Sequence, residues 1–309
     1  MRVIFMGTPE FAVPSLDALH AAGFEIPLVV TRPDKPAGRG KHMQAPAVKR
    51  RATALGLPVF QPATLKRPEP QERLRAVGAD AIAVVAFGAI LPVAVLDMTR
   101  LGAINVHASL LPKYRGSSPI HWAIVNGEVE SGVTTMYMAE GLDTGDILLQ
   151  ATVPLDPRET AATLHDKLAK LGGPLLVETL RRLAAGTLTP TPQDEAASSY
   201  IPKLTRDDGL LDWSLAALTL DRRIRGLTPW PGAFTFLDGK RLTVRAAYPV
   251  DAQPTQPPGH VEAVTGDAVL VATGDGCLAL TEVQLEGKRP VASPAFLAGH
   301  RIGVAEHLG

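Results

Sequence analysis

Val3-Ile4-Phe5-Met6-Gly7-Thr8-Pro9-Glu10-Phe11 opens with four apolar residues and a glycine, and residues 11–20 then carry Leu16 and Leu19 at helical spacing before Gly23. This predicts strand, turn and helix in succession. Further apolar runs bounded by Gly or Pro lie at 26–30, 81–87 and 104–106, with helical patterns at 47–55 and 91–98 between them. Strands buried on both faces read as unbroken apolar runs, and alternation with helices demands parallel pairing through crossovers. The first half of the chain is therefore expected to be an α/β, Rossmann-like, doubly wound and mainly parallel sheet.

Further along, 133–138 and 147–153 read as two more strands. Leu164, Leu168, Leu171, Leu175, Leu180 and Leu183 then trace one helical face, which Gly172-Gly173-Pro174 is expected to split or sharply kink. Thr187-Leu188-Thr189-Pro190-Thr191-Pro192 opens a stiff connector poor in apolar residues. The expected division is a domain over 1–188, a linker over 189–203 and a second domain over 204–309. That second domain has a helical pattern at 215–224 and five short β-like runs, at 233–237, 242–246, 260–264, 268–272 and 278–285, separated by turn signals such as Asp238-Gly239. A small OB-like β-barrel is one candidate.

Composition sets the outer limits. At roughly 150 residues per domain, 309 residues make about two domains, with room for a large core. Hydrophobic content of 46%, charged content of 20% and 31 Lys+Arg against 31 Asp+Glu describe an ordinary globular chain, and net charge names no partner. The one cysteine, Cys277, can form no internal disulfide and cannot by itself make a structural zinc site. No stretch approaches the roughly 20 apolar residues that span a bilayer. These features lead us to expect a cytoplasmic protein with no membrane role.

Ligands of open α/β sheets bind beyond the carboxyl ends of the strands. The first such loop, Gly7-Thr8-Pro9-Glu10-Phe11, lacks the three-glycine fingerprint of dinucleotide sites. In Asn105-Val106-His107-Ala108-Ser109-Leu110-Leu111-Pro112, residues two apart share a strand face, so Asn105 and His107 can present an amide and an imidazole to one cleft. Taken singly, each reads more readily as a satisfied core or strand-end polar residue, and it is the pair that points to a site. Glu140-Gly141-Leu142-Asp143-Thr144-Gly145-Asp146 has the composition of an ordinary turn, yet a carboxylate beside an imidazole can fix its tautomer and favour its charged form.

Residues 31–51 hold Arg32, Lys35, Arg39, Lys41, Lys49, Arg50 and Arg51 against Asp34 alone. Either this is a solvated charged surface or a phosphate-contacting arm. Arg222, Arg223 and Arg225 add a smaller basic spot near Trp230, although residues 204–309 hold ten Lys+Arg and twelve Asp+Glu and are not basic in bulk.

Together Gly7-Thr8-Pro9-Glu10-Phe11, Arg32-Pro33-Asp34-Lys35-Pro36-Ala37-Gly38-Arg39-Gly40-Lys41, the 105–112 stretch, Tyr114-Arg115-Gly116, Gly141-Leu142-Asp143-Thr144-Gly145-Asp146 and Leu227-Thr228-Pro229-Trp230-Pro231-Gly232-Ala233 resemble the methionyl-tRNA formyltransferase family over essentially the whole chain. The Asn, His, SLLP and LDTG set resembles 10-formyltetrahydrofolate-dependent formyltransferases generally, whereas the PAGRGK loop and barrel-like tail resemble the tRNA enzymes. The resemblance implies Asn105, His107 and Asp143 as the catalytic trio and Ser109, Leu110, Leu111 and Pro112 as the folate-contacting segment. It implies Arg39, with Lys35 and Lys41 in the same loop, as contacts for the tRNA acceptor end. It further implies 10-formyltetrahydrofolate as co-substrate and initiator methionyl-tRNA as partner, with no metal, no covalent enzyme intermediate and a monomeric chain expected. Formyl transfer to a small amine uses the same trio but gives the basic loop no role. A non-catalytic RNA-binding module predicts binding without turnover.

Overall fold

The apolar run at the start of the chain forms β1 (Arg2–Gly7), in which Val3, Ile4, Phe5 and Met6 are wholly buried. A strand buried on both faces needs a covering layer on each side. The computed structural model describes residues 1–37 and 42–309. After β1 come α1 (Val13–Ala21), β2 (Glu25–Val30), the short pair β3 (Lys35–Ala37) and β4 (His42–Gln44), α2 (Ala47–Ala54), β5 (Val59–Phe60), α3 (Pro68–Ala76), β6 (Ala81–Val85), α4 (Val93–Leu96) and β7 (Ala103–His107). The chain continues through β8 (Arg115–Gly116), α5 (Pro119–Val125), β9 (Glu130–Tyr137), β10 (Ile147–Pro154), α6 (Ala161–Ala184) and β11 (Tyr200–Ile201).

Seven strands form one sheet in the order β10-β9-β7-β6-β1-β2-β5. β1 pairs in parallel with β2 and β6, and β6 with β7, so the carboxyl ends of these four strands share one edge. The chain winds outward from β1 through β2 and β5, then returns to the far side of β1 at β6, which makes the β1/β6 boundary the switch point. β9 runs antiparallel to both neighbours. On one face, Leu74 of α3 and Val95 of α4 join Ile4, Met6, Ile82 and Val84 in a single cluster. On the other, α6 lies so close that a Cβ at Gly172 would stand 3.0 Å from Val106.

That close approach bears on the expected split of the helix. Gly172-Gly173-Pro174 does not divide the helix in two, since α6 is continuous from Ala161 to Ala184. A Cβ at Gly173 would come within 2.9 Å of both Ala18 Cβ and the Pro14 carbonyl oxygen. The glycines are where α6 meets β7 and α1, and burial of the apolar face outweighs the propensity cost.

The chain divides into two compact units. The first consists of Met1–Pro119, Glu130–Pro154 and His165–Ile201, and the second of Ile120–Val129, Leu155–Leu164 and Pro202–Gly309. Residues 189–201, read from sequence as connector, pack into the first unit, where β11 pairs in parallel with β8. The second unit contains α7 (Ala217–Gly226), β12 (Ala233–Leu237), β13 (Lys240–Val250), β14 (Val261–Val264), β15 (Val269–Ala272), β16 (Cys277–Leu285), β17 (Val291–Ala292) and α8 (Ser293–Gly299). Its antiparallel sheet runs β12-β13-β16-β15-β14, with β17 added to β16, around one core that includes Leu220, Val244, Val271, Leu278 and Phe296. Inward residues alternate along β13, where Leu242 and Val244 are buried while Thr243 and Arg245 are less so. Among the described residues, no ladder joins β14 to β12.

Candidate active site

Alternation along β7 decides which side chains leave the core. Val106 faces α6, so Asn105 and His107 project from the opposite face. His107 is 6% exposed, and its Nε2–H donates to the Tyr114 carbonyl at 2.9 Å. A carbonyl can only accept, so this bond fixes the proton on Nε2 and leaves Nδ1 for chemistry. Nδ1 stands 3.7 Å from Asp143 Oδ2, an ion-pair distance when the ring is charged. The half-buried amide of Asn105 makes no side-chain hydrogen bond among the described residues. A strand-end amide without an internal partner is ready to serve a ligand.

Asp143 arrives by an indirect route. β9 pairs Thr134 with His107 and Tyr137 with Ile104, so the loop leaving β9 begins level with the start of β7 and must come back along it. Two bonds hold Asp143 itself there. The Gly116 N–H donates to Asp143 Oδ2 at 2.9 Å, and Gln193 Nε2 donates to the Asp143 carbonyl at 2.8 Å. Asp143 itself has φ 55°, a left-handed conformation that aspartate tolerates better than most residues. Tyr114, Gly116 and Gln193 received no role from the sequence. The positive φ of Gly116, 118°, has a local sequence signal in the glycine itself, whereas its contact with a residue 27 positions away has none.

The 109–112 segment is fastened before any ligand binds. Ser109 Oγ donates to the Lys113 carbonyl, Thr134 Oγ1 donates to the Ser109 carbonyl, and the Leu111 N–H donates to Thr134 Oγ1. Gln150 Nε2 reaches both the Leu111 carbonyl and Thr134 Oγ1. Ser109 and Leu111 are buried at 2% and 3% exposure, so Leu110 and Pro112, both half-buried, are the side chains of this segment open to a ligand.

A cleft of about 710 Å³ opens beside the carboxyl ends of β1, β2 and β6, lined among others by Thr8, Glu10, Arg32, Lys35, Arg50 and Phe87. Lys35 is exposed on β3, while Arg39 and Lys41 lie outside the described residues. The root of the β3–β4 pair is clamped. Asp34 accepts from Gln61 Nε2 and, on both oxygens, from Lys49 Nζ at 2.7 and 2.9 Å, and these bonds hold its carboxyl below the usual carboxylate range. In the second unit, two arginines of the anticipated basic spot are tied internally. Arg223 bonds the Asp208 carbonyl, and Arg225 bonds Asp221 and the Glu159 carbonyl. Burial raises the pKa of the fully enclosed Cys277 thiol, which disfavours the thiolate a nucleophile needs.

Two family profiles show the chain to be a formyl-transferring enzyme. The Formyl transferase family profile matches residues 1–180, and the profile of the Formyl transferase C-terminal domain matches residues 203–301. Methionyl-tRNA formyltransferase of Citrifermentans bemidjiense is 48% identical over 309 residues, covering 100% of this chain and 96% of the relative. That of Desulfotalea psychrophila is 50% identical over 98% of this chain and 94% of its own. The chain belongs to the methionyl-tRNA formyltransferase family. Among solved structures, an N-formyltransferase from Helicobacter canadensis, in complex with folinic acid and dTDP-3-aminofucose, shares the fold at TM-score 0.68 and 19% identity, over 90% of this chain and 98% of its own. HypX from Aquifex aeolicus in complex with tetrahydrofolic acid does so at TM-score 0.63 and 22% identity, over 96% of this chain and 47% of its own.

Proposed function

We propose that the chain moves the formyl group of 10-formyltetrahydrofolate to the free amine of initiator methionyl-tRNA, with Asn105, His107 and Asp143 as its catalytic residues. The observation that carries this reading is the 3.7 Å approach of Asp143 Oδ2 to His107 Nδ1, the ring nitrogen not engaged by the Tyr114 carbonyl. The amine attacks the formyl carbon, a C–N bond forms, and the carbonyl oxygen takes up negative charge. The Asn105 amide and a protonated His107 Nδ1 donate to that oxygen, while Asp143 supports the imidazolium. Collapse breaks the bond to N10 of the folate, and the proton lost by the amine ends on that nitrogen. The chemistry needs no metal and no bond to the enzyme. Leu110 and Pro112, with the backbone of 109–112, contact the folate.

The basic loop supports tRNA over a small amine as acceptor. Lys35, with Arg39 and Lys41, would meet phosphates, and the Asp34–Lys49–Gln61 clamp at the loop's root gives that contact a fixed origin. The deciding assay supplies 10-formyltetrahydrofolate with either charged initiator tRNA or small amines and measures N-formyl product. Product from the small amines alone, or from neither acceptor, defeats the reading. Lys35→Ala and Arg39→Ala should each lower the slope of log(kcat/KM) for tRNA against log salt by about 0.7 to 0.9; unchanged slopes would make the loop a solvated surface.

A further inference from the structure

We infer that Gln193 is a positioning residue of the active site, holding Asp143 against His107, and that the segment around it belongs to the catalytic frame rather than to a connector. The inference deepens the reading above and rests on it for the role of Asp143. Residues 181–202 lie between the two regions matched by the family profiles. Gln193 uses every part of its amide. Nε2 donates to the Asp143 carbonyl at 2.8 Å and the Gly145 carbonyl at 2.7 Å, while Oε1 accepts from Arg115 Nε at 3.0 Å. The anchor is firm, because the Arg115 side chain is wholly buried and forks onto both oxygens of Glu195 at 2.7 and 2.9 Å. Arg115 Nη1 also donates to the Tyr200 hydroxyl at 2.8 Å.

The same segment holds the other side of the imidazole. Ser199 Oγ accepts from the Tyr114 N–H at 2.8 Å, and the Ser199 carbonyl accepts from the Arg115 N–H at 2.8 Å. Tyr114 is the residue whose carbonyl orients His107, and it too has a positive φ, 62°. Two backbone positions in left-handed conformations thus flank the ring, and residues 193–199 tie down both. Strained loops keep one geometry only when their surroundings over-determine it. For the loop of Asp143, which must double back along β7, Gln193 supplies one hydrogen bond at Asp143 itself and one at Gly145.

Gln193→Glu separates the roles of the side chain. It keeps an oxygen for Arg115 but sets carboxylate oxygens against two carbonyls. We expect kcat to fall between about 10- and 100-fold, as for a displaced catalytic group, with KM for folate and tRNA within about threefold and the melting midpoint little changed. In an Asp143→Asn background the same change should cost less than about threefold, because residues that act as a unit lose activity once. Gly116 amide hydrogen exchange, which needs no turnover, should accelerate in Gln193→Glu while amides of β1 and β6 do not. Should Gln193→Glu fail to fold, Gln193→Met is read by the same measures. Wild-type turnover in the variant, or a full loss that persists beside Asp143→Asn, overturns the inference. If the wild-type chain forms no N-formyl product, the functional reading falls, and Gly116 exchange alone then decides: acceleration supports the positioning role and unchanged exchange overturns it.

Discussion

The two nitrogens of His107 have different tasks: Nε2 is held by the Tyr114 carbonyl, and Nδ1 faces Asp143 Oδ2. The division makes a prediction about paired variants. Asn105→Ala should cost about a hundredfold or more in kcat, by comparison with the loss of one oxyanion donor, and leave the melting midpoint unchanged, since among the described residues the amide has no partner to lose. His107→Ala should cost at least as much in kcat and also lower stability, because it empties a buried site and removes a hydrogen bond to the Tyr114 carbonyl. Initial rates and thermal melts on both variants test this. Equal melts for the two would show that the buried His107 ring and its bond to Tyr114 add nothing to stability.

At the level of elements, the site depends on how closely its pieces are fastened. Thr134 on β9 is wholly buried and bonds the Ser109 carbonyl, the Leu111 N–H and Gln150. Thr134→Val keeps the volume but removes those partners, so urea unfolding should show a loss of about 1 to 3 kcal/mol, with Thr134→Ser restoring most of it. Unchanged stability in the Val variant would mean that the 109–112 segment is held some other way. The contact of α6 with α1 makes a second prediction. Gly173→Ala places a methyl 2.9 Å from Ala18 Cβ, and overpacking of this kind costs about 1 to 3 kcal/mol. A stabilised variant, as helix propensity alone would give, would refute close packing at that position.

For the folded molecule as a whole, the clearest pH signature lies in the pair that anchors the 193–200 segment. Hydrogen bonds from Arg115 hold the Glu195 carboxyl below the usual carboxylate range, and those to Glu195 raise the Arg115 pKa. A depressed acid contributes fully above its unfolded pKa, about 4.3, and loses its contribution as pH falls through the lower folded value. Wild type should therefore melt above Glu195→Gln at pH 6, and the gap should narrow as pH drops below about 4. A gap that is constant from pH 6 to pH 3 would show that the ion pair is not the source. No helix among the described residues is long and apolar enough to cross a membrane.

Local pattern alone determined the α/β alternation of the first unit and five of the six strands in the antiparallel sheet of the second, because apolar runs, helical spacing and turn residues act over a few positions. It also singled out Asn105 and His107, since two residues apart on a strand means one face. The Gly172-Gly173-Pro174 signal did not divide α6 in two; the glycines pack closely against Val106, Pro14 and Ala18, which no helical pattern encodes. Only the tertiary structure could show which nitrogen of His107 is left for chemistry, or that residues 189–201 pack into the first unit. The bonds that hold Asp143 come from residues 27 and 50 positions away. Hydrogen bonds are directional and short in space but indifferent to chain distance, so these partners became visible only once the chain had folded.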